Sequence, residues 1–362
     1  MQKPLKSLPL LAIDLRPFLT PFESGVTVYL AAMVREIKKA GIFDLDLFYQ
    51  ARKKSQRISK IFPEARFIPC SNTIFHLKCL FGLPALPSKY FPQRPDAIWL
   101  PDRLPFYRSK IPLFMTIHDF VPEEFSGTLS FKSLIWHKIF SLHRLLGLCS
   151  GVLVPSLSIG YSPRIKGIPS EVTYEGANLL GGRGKRPNGF NLGKGDFFLS
   201  ISPMDPRKRL KWVFFAAEKF PRAHFVIAGN KQEDKRFRFF RRPTLPNLHF
   251  LGEITEEEKL WLLKNAVALL ALSEYEGFDL PVLEAVKAKC QVIMSGIPVH
   301  IELYKRATVV NSADELFGAI YLALQNKKYV KKLLIRPRGK YTWEGAAKRA
   351  SLFFLRVLFN KN

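Results

Sequence analysis

Two carboxylates, Glu276 and Glu284, stand eight residues apart in the segment 273–298, S-E-Y-E-G-F-D-L-P-V-L-E-A-V-K-A-K-C-Q-V-I-M-S-G-I-P. On a single helix that spacing would separate them by about 12 Å along the axis. The surrounding residues predict something else. Residues 266–272, A-V-A-L-L-A-L, form the continuous apolar run of a strand buried on both faces. Pro281 suits the first turn of a helix, where its missing N–H costs nothing. A helix beginning near Leu280 leaves Glu276 in the loop and puts Glu284 about one turn in. Both then face the crevice beyond the carboxyl end of the strand, where open parallel sheets bind ligands. The plainer reading is a surface carboxylate plus a helix-favouring Glu in a first turn, where the dipole welcomes it. No residue has the arrangement of an activated nucleophile.

The elements that must hold these residues are readable from the rest of the chain. Apolar runs alternate with amphipathic stretches, as expected of βα units. Residues 10–13, 97–100, 113–117 and 151–155 read as strands, with helices over 28–40 and 129–146. The stretch 175–195 carries seven glycines and no periodicity, which marks a linker. Strands follow at 197–201, 224–228, 249–251, 266–272 and 291–294. The expected organisation is an acceptor-side Rossmann-like domain over 1–180, a linker over 181–195 and a donor-binding Rossmann-like domain over 196–342. A final helix over 343–362 is expected to pack back on the first domain.

Composition bounds the function. The chain has 362 residues, 47% hydrophobic, ample for two cores. Four cysteines (Cys70, Cys79, Cys149, Cys290) show neither metal-ligand spacing nor a disulfide framework, so a reducing cytoplasm is the default. No apolar run reaches the roughly 18 residues that span a bilayer. The net charge of +26 divides evenly, with 26 Lys and Arg against 13 Asp and Glu over 1–190, then 30 against 17. A basic tail is excluded, and the folded body must attract polyanions: anionic lipid, phosphorylated substrates or nucleic acid. No helix-turn-helix, zinc-finger or RNP signature supports nucleic acid. Dense clusters lie at Arg52, Lys53, Lys54, Arg57 and Lys60, and in residues 235–242, where Phe interleaves with Arg. A solvated basic face is the bland reading of both.

The segment E-G-F-D-L-P-V-L-E-A resembles the E-x7-E region of glycosyltransferase family 4, retaining nucleotide-sugar-dependent enzymes. Other elements recur in the family's order. I-D-L-R-P (13–17) and S-G-V-T-V-Y-L (24–30) resemble the opening strand and glycine loop. T-I-H-D-F (116–120) resembles T-I-H-D-L, and L-V-P-S-L-S (153–158) resembles V-S-E-F-S. D-P-R-K (205–208) resembles the P-R-K element, and Y-T-W-E (341–344) the closing F-S-W-E. The resemblance implies an α/β protein of the GT-B fold, two Rossmann-like doubly wound parallel-sheet domains facing a central cleft. It implies that Glu276 binds donor-sugar hydroxyls and Glu284 the nucleotide ribose. Lys208 and Arg207 would bind the diphosphate, and His118 would contact the sugar near the reacting carbon. His118, Lys208 and Glu276 form the catalytic set, and Gly25, Arg207, Gly277, Phe278, Leu280 and Glu284 the donor-binding set. Gly229, Asn230 and Lys231 could flank the nucleotide.

By the same resemblance the protein needs no metal and no cofactor, the nucleotide-sugar being a co-substrate. Its partners would be a lipid-linked or polysaccharide acceptor and an anionic membrane surface, with a cytoplasmic, peripheral location. Two departures feed an alternative, a catalytically silent GT-B protein kept for binding or scaffolding: Asp279 replaces a Gly, and K-A-K-C (287–290) replaces A-C-G. Separately, Ser202-Pro203 stands where many relatives have G-R, so one phosphate-binding arginine of the family is absent. Asp279 could cap the following helix by accepting a first-turn N–H bond.

Overall fold

The computed structural model describes residues 8–21, 23–83, 92–178, 181–229, 244–325 and 335–359, and these divide into two compact units. Asn230, Lys231 and the basic run 235–242 lie outside the described residues. The first unit takes residues 1–176 and 341–362, the second 177–340.

The first unit is built on β1 (Leu10–Asp14), β2 (Asp44–Ala51), β3 (Arg66–Pro69), β4 (Ala97–Leu100), β5 (Leu113–Thr116), β6 (Gly151–Val154) and β7 (Ser170–Val172). They form one parallel sheet in the order β3-β2-β1-β4-β5-β6-β7. Every residue of β4, β5 and β6 is buried, because helices cover both faces of a parallel sheet. Those helices include α1 (Gly25–Ala40), α2 (Gln56–Ile61), α3 (Asn72–Leu80), α4 (Val121–Glu124), α5 (Phe131–Ile139), α6 (Leu142–Leu146) and α7 (Leu157–Gly160). α1 starts at a reciprocal Ser24/Thr27 cap and stops at Gly41, whose φ of 61° ends the helix in the left-handed region. The single helix expected over 129–146 is broken. Phe140 leaves helical geometry and is buried, and the Ser141 hydroxyl accepts from Arg144 N to start α6.

The second unit repeats the plan with β8 (Phe197–Ile201), β9 (His224–Ala228), β10 (Leu248–Gly252), β11 (Leu269–Ala271), β12 (Val292–Ser295) and β14 (Thr308–Val310), ordered β10-β9-β8-β11-β12-β14 and parallel throughout. A short antiparallel pair, β13 (Tyr304–Lys305) with β15 (Arg336–Pro337), lies apart from it. α8 (Leu210–Lys219), α9 (Glu256–Asn265), α10 (Leu280–Lys287), α11 (Pro298–Leu303) and α12 (Ala313–Gln325) complete the unit. Its core packs Phe198, Phe225, Leu210, Val213 and Ile320, each nearly or fully buried. A fully buried side chain of this kind contributes about 2 kcal/mol over an exposed one. Residues of the glycine-rich stretch lie on this unit: Lys185 N and Gly195 N donate to the carbonyls of Glu257 and Asn265, and Phe190 packs on Phe197.

The chain then returns to the first unit as α13 (Trp343–Phe359), which packs along α1 and inserts Phe353 and Phe354 beside Phe114. Gly176 permits the close approach of this segment, since a Cβ there would lie 2.4 Å from Trp343 N.

Candidate functional site

In both sheets the connections reverse direction once, between β1 and β4 and between β8 and β11. Such switch points open a crevice outside the carboxyl ends of the strands. The predicted residues of the second unit gather at its switch point. After β8 the chain makes a short turn, Pro206–Lys208, whose start is fixed by Asp205: its Oδ1 accepts from Arg207 N at 2.9 Å. The same carboxylate holds the Arg207 guanidinium at 2.7 Å, and Arg207 Nη1 donates to the Tyr275 carbonyl at 3.4 Å. This ties the loop after β8 to the loop after β11. It also delivers Lys208 Nζ to the Glu276 carboxylate, a largely buried ion pair. Burial alone would lower the pKa of the ammonium, but the Glu276 and Asp279 charges outweigh it and Lys208 is raised, so it is a fixed cation.

Glu284 is the fifth residue of α10 and is buried. Its Oε1 lies 2.7 Å from Lys259 Nζ of α9, and Lys259 is shared with Glu256 at 2.7 Å. Burial dominates Glu284 and pushes its carboxyl up to about 7, against the opposing pull of Lys259. Gly277 and Phe278 are buried between Glu276 and the helix, and Leu280 opens α10. Phe278 thereby anchors the loop that carries Glu276.

Asp279 does not cap α10, contrary to the expectation from its position. Its Oδ2 instead meets Nε2 of the fully buried His300 at 2.9 Å, because the α11 helix stands directly behind the loop. Asp279 and Lys289, which stand where the resembling family has glycine, keep the left-handed backbone at φ 69° and 59°. Each non-glycine residue there is strained by about 1 kcal/mol. Ser202 occupies the position of the absent glycine: its buried Oγ has no hydrogen-bond partner among the described residues and lines, with Lys208 and Asp279, a cavity of about 10 Å³. That is room for about one water. Gly229, at φ 150°, closes over the same strand end, where a Cβ would sit 2.2 Å from Ser202 O. Arg209 is engaged elsewhere, with Glu274 at 3.0 Å and the face of Trp212.

His118 and Gly25 belong to the first unit. His118 follows β5; its Nε2 donates to the Pro101 carbonyl, 2.9 Å away at the end of β4, and its Nδ1 faces the buried Glu175 carboxylate at 3.5 Å. Burial would lower this histidine, but Glu175, Asp102 and the Pro101 carbonyl outweigh it and raise it to about 8. The ring is therefore an imidazolium at neutral pH with both nitrogens engaged, which suits electrostatic stabilisation and not general-base work. Tyr29 of α1 packs its edge against the ring, 4.8 Å between centroids. Gly25 is the first residue of α1 and is exposed.

Glu175, Lys259 and His300 escaped sequence reasoning. Each is the partner of a predicted residue, and none stands in a motif of its own. Among the described residues no group of three His, Cys, Asp or Glu could hold a metal ion, and no helix is long and apolar enough to cross a membrane.

Residues 185–335, within the second unit, match the family model of glycosyl transferases group 1. The O-antigen chain mannosyltransferase B of Escherichia coli is 26% identical over 164 residues, 41% of this chain and 42% of that protein. Solved structures align over nearly the whole chain. The sucrose-phosphate synthase of Thermosynechococcus elongatus reaches a TM-score of 0.66 at 16% identity, over 97% of this chain and 96% of its own. WaaG, a glycosyltransferase involved in lipopolysaccharide biosynthesis, reaches 0.63 at 14% (97% and 100%). WaaB, a lipopolysaccharide outer core galactosyltransferase, reaches 0.60 at 14% (98% and 100%). The protein has the GT-B fold.

Proposed function

We propose that this protein is a retaining glycosyltransferase of family 4 that moves a sugar from a GDP- or UDP-type nucleotide-sugar to a lipid-linked or polysaccharide acceptor. The observation that carries this reading is the buried Lys208–Glu276 pair at the β8/β11 switch point. A fixed cation beside a carboxylate suits a donor whose leaving group is a diphosphate and whose sugar offers hydroxyls. Glu276 and Lys208 are assigned to sugar and diphosphate, with Arg207 beside Lys208, and Glu284 to the ribose. His118 is assigned to the charge that develops in transfer. No metal enters the reading, because Lys208 and backbone N–H groups supply the positive field. The group 1 family match and the mannosyltransferase relative support transferase chemistry, and the O-antigen and lipopolysaccharide names of the relatives support a cell-envelope glycan.

The same reading places the protein on the cytoplasmic face of an anionic membrane. Arg52, Lys53 and Lys54 are exposed ahead of α2, and Lys60 is exposed in its last turn. Arg57, half-buried, donates one N–H to the Thr20 carbonyl and lies over the Phe18 ring. Beyond these charges, α5 exposes Phe131, Leu134, Ile135 and Ile139 at helical spacing, flanked by exposed Lys132 and Lys138. Apolar side chains beside lysines suit an interfacial helix.

The test is turnover. Purified protein, offered a panel of GDP- and UDP-sugars with extracted envelope lipids, should give a product of added hexose mass that keeps the donor's anomeric configuration. Lys208→Met and Glu276→Gln should each lose about a hundredfold in rate, the value of one preorganised charge contact. An inverted product refutes retention. Variants that keep half of the wild-type rate refute the site.

A further inference from the structure

Asp279 is an unusual residue for its place. It combines a left-handed backbone (φ 69°, ψ 71°) with a carboxylate whose side chain is only 4% exposed, next to Lys208. A glycine would relieve the strain and remove a negative charge from beside the cation that a diphosphate needs. The structure shows what keeps the carboxylate in place. His300 Nδ1 lies 2.9 Å from the carbonyl oxygen of Ser295, at the end of β12, and its Nε2 lies 2.9 Å from Asp279 Oδ2.

Proton counting decides the state of this pair. A carbonyl only accepts, so Nδ1 carries a hydrogen. An ionised carboxylate also only accepts, so the 2.9 Å contact at Nε2 needs a second hydrogen. The pair therefore holds one proton more than a neutral imidazole and a carboxylate. Burial pushes the Asp279 carboxyl up, but its bond to His300 and the charge of Lys208 hold it below the usual range, so the carboxylate is the acceptor of the Nε2 contact. Beyond β8 and β11, Lys208 and the two ring nitrogens of His300 thus stand against the carboxylates of Glu276 and Asp279. Arg207 also lies near Lys208 but is held by Asp205, so without His300 the cation left acting on Asp279 would be Lys208.

We infer that His300 is a positioning residue for the donor diphosphate: it binds and neutralises Asp279, so that this carboxylate does not capture Lys208. The inference rests on the reading of this switch point as the donor site. It explains how a carboxylate is tolerated beside a phosphate-binding cation. Asp279 is then tolerated beside Lys208 only where His300 is present, whereas its removal is harmless to donor binding with or without His300.

A double-mutant cycle tests this, read as the Kd of GDP and UDP by calorimetry on the full chain. His300→Ala should weaken the tighter-binding nucleotide at least tenfold, because Asp279 then turns to Lys208. Asp279→Gly alone, and Asp279→Gly with His300→Ala, should both bind within about threefold of wild type. If His300→Ala folds poorly, His300→Gln fills the space and keeps one N–H toward Asp279 without the charge, and it too should weaken binding and be rescued by Asp279→Gly. Rescue is the outcome that a merely structural histidine would not give. A His300 variant that binds as wild type does, or a loss that Asp279→Gly leaves uncorrected, overturns the inference alone. Wild-type protein that binds neither nucleotide overturns the donor reading, and this inference with it.

Discussion

Glu284 offers the sharpest physical test, because the proposed site keeps there a carboxylate that the fold would be more stable without. Its ordinary pKa of 4.5 rises to about 7, burial being the larger influence and Lys259 the opposing one. Below about pH 4.5 the group is protonated in the folded and unfolded chain alike, and burial strips no charge of water. Between 4.5 and 7 the unfolded chain gives up the proton while the folded chain keeps it, so stability falls as pH rises. Above 7 both are ionised and the whole difference stands, about 2.5 pH units or on the order of 3 kcal/mol. Glu284→Gln keeps the shape without the titration, and Lys259 retains Glu256 at 2.7 Å. The variant should thus match wild type at pH 4.5 and exceed it by about 3 kcal/mol at pH 8. Urea unfolding at pH 4.5, 6 and 8, followed by tryptophan fluorescence, to which Trp212 and Trp261 of the second unit contribute, measures the difference, and groups other than Glu284 cancel between the two proteins. A difference that stays flat across this range, or a variant less stable at pH 8, would show that Lys259 governs the carboxylate and would refute the burial argument. The same variant should bind its nucleotide at least tenfold more weakly at pH 8, since an ionised carboxylate held at a stability cost is retained for what it binds.

Three further outcomes are expected. His118, raised from 6.5 to about 8, adds stability that is full below pH 6.5 and is lost as pH rises through 8. The advantage of wild type over His118→Gln in unfolding free energy should therefore shrink by about 2 kcal/mol between pH 6 and 9, and an advantage independent of pH counts against the Glu175 pair. Gly229→Ala should cost on the order of 3 kcal/mol, because it meets both a φ of 150° and a backbone oxygen at 2.2 Å; a melting temperature unchanged within 1 °C would show the strand end to be looser than described. Co-sedimentation should require anionic vesicles, fall in high salt and drop at least fivefold in Phe131→Ser with Ile135→Ser, while binding that is equal on neutral vesicles refutes the membrane reading.

What the amino-acid order made legible follows from where each element sits. β4, β8 and β9 are central or near-central strands buried on both faces, so their apolar runs mark their ends residue for residue: Ala97–Leu100, Phe197–Ile201 and His224–Ala228. β3 and β7 are edge strands, half exposed and three or four residues long, and carry no such run. β2 begins D-L-D, whose polar start hides a strand that ends fully buried. The break at Phe140 was hidden for another reason: Ser141 signals a cap only once a tertiary contact has turned Phe140 inward.

The site divides along the same line. Glu276, Glu284, Lys208 and His118 could be singled out because each stands inside a local pattern, three in the segments that follow a strand and Glu284 in the helix after it. Their partners are distant in the chain: Lys208 and Glu276 are 68 residues apart, Glu284 and Lys259 are 25, and Asp279 and His300 are 21. The Lys208–Glu276 and Asp279–His300 pairs form because β8, β11 and β12 are neighbours in the sheet, so each loop meets the loop of the next strand at one edge, whereas Glu284 and Lys259 meet between the helices α10 and α9. Residue spacing alone does not encode that adjacency, but strand order does. With β12 beside β11, the loop and helix that follow Ser295 must lie behind the loop that follows Ala271, and a histidine in the first turn of α11 is the group that reaches a carboxylate at the start of α10. On the inference above, a carboxylate at Asp279 and a histidine at His300 are one structural feature written at two places in the chain, joined by the Nε2–Oδ2 contact.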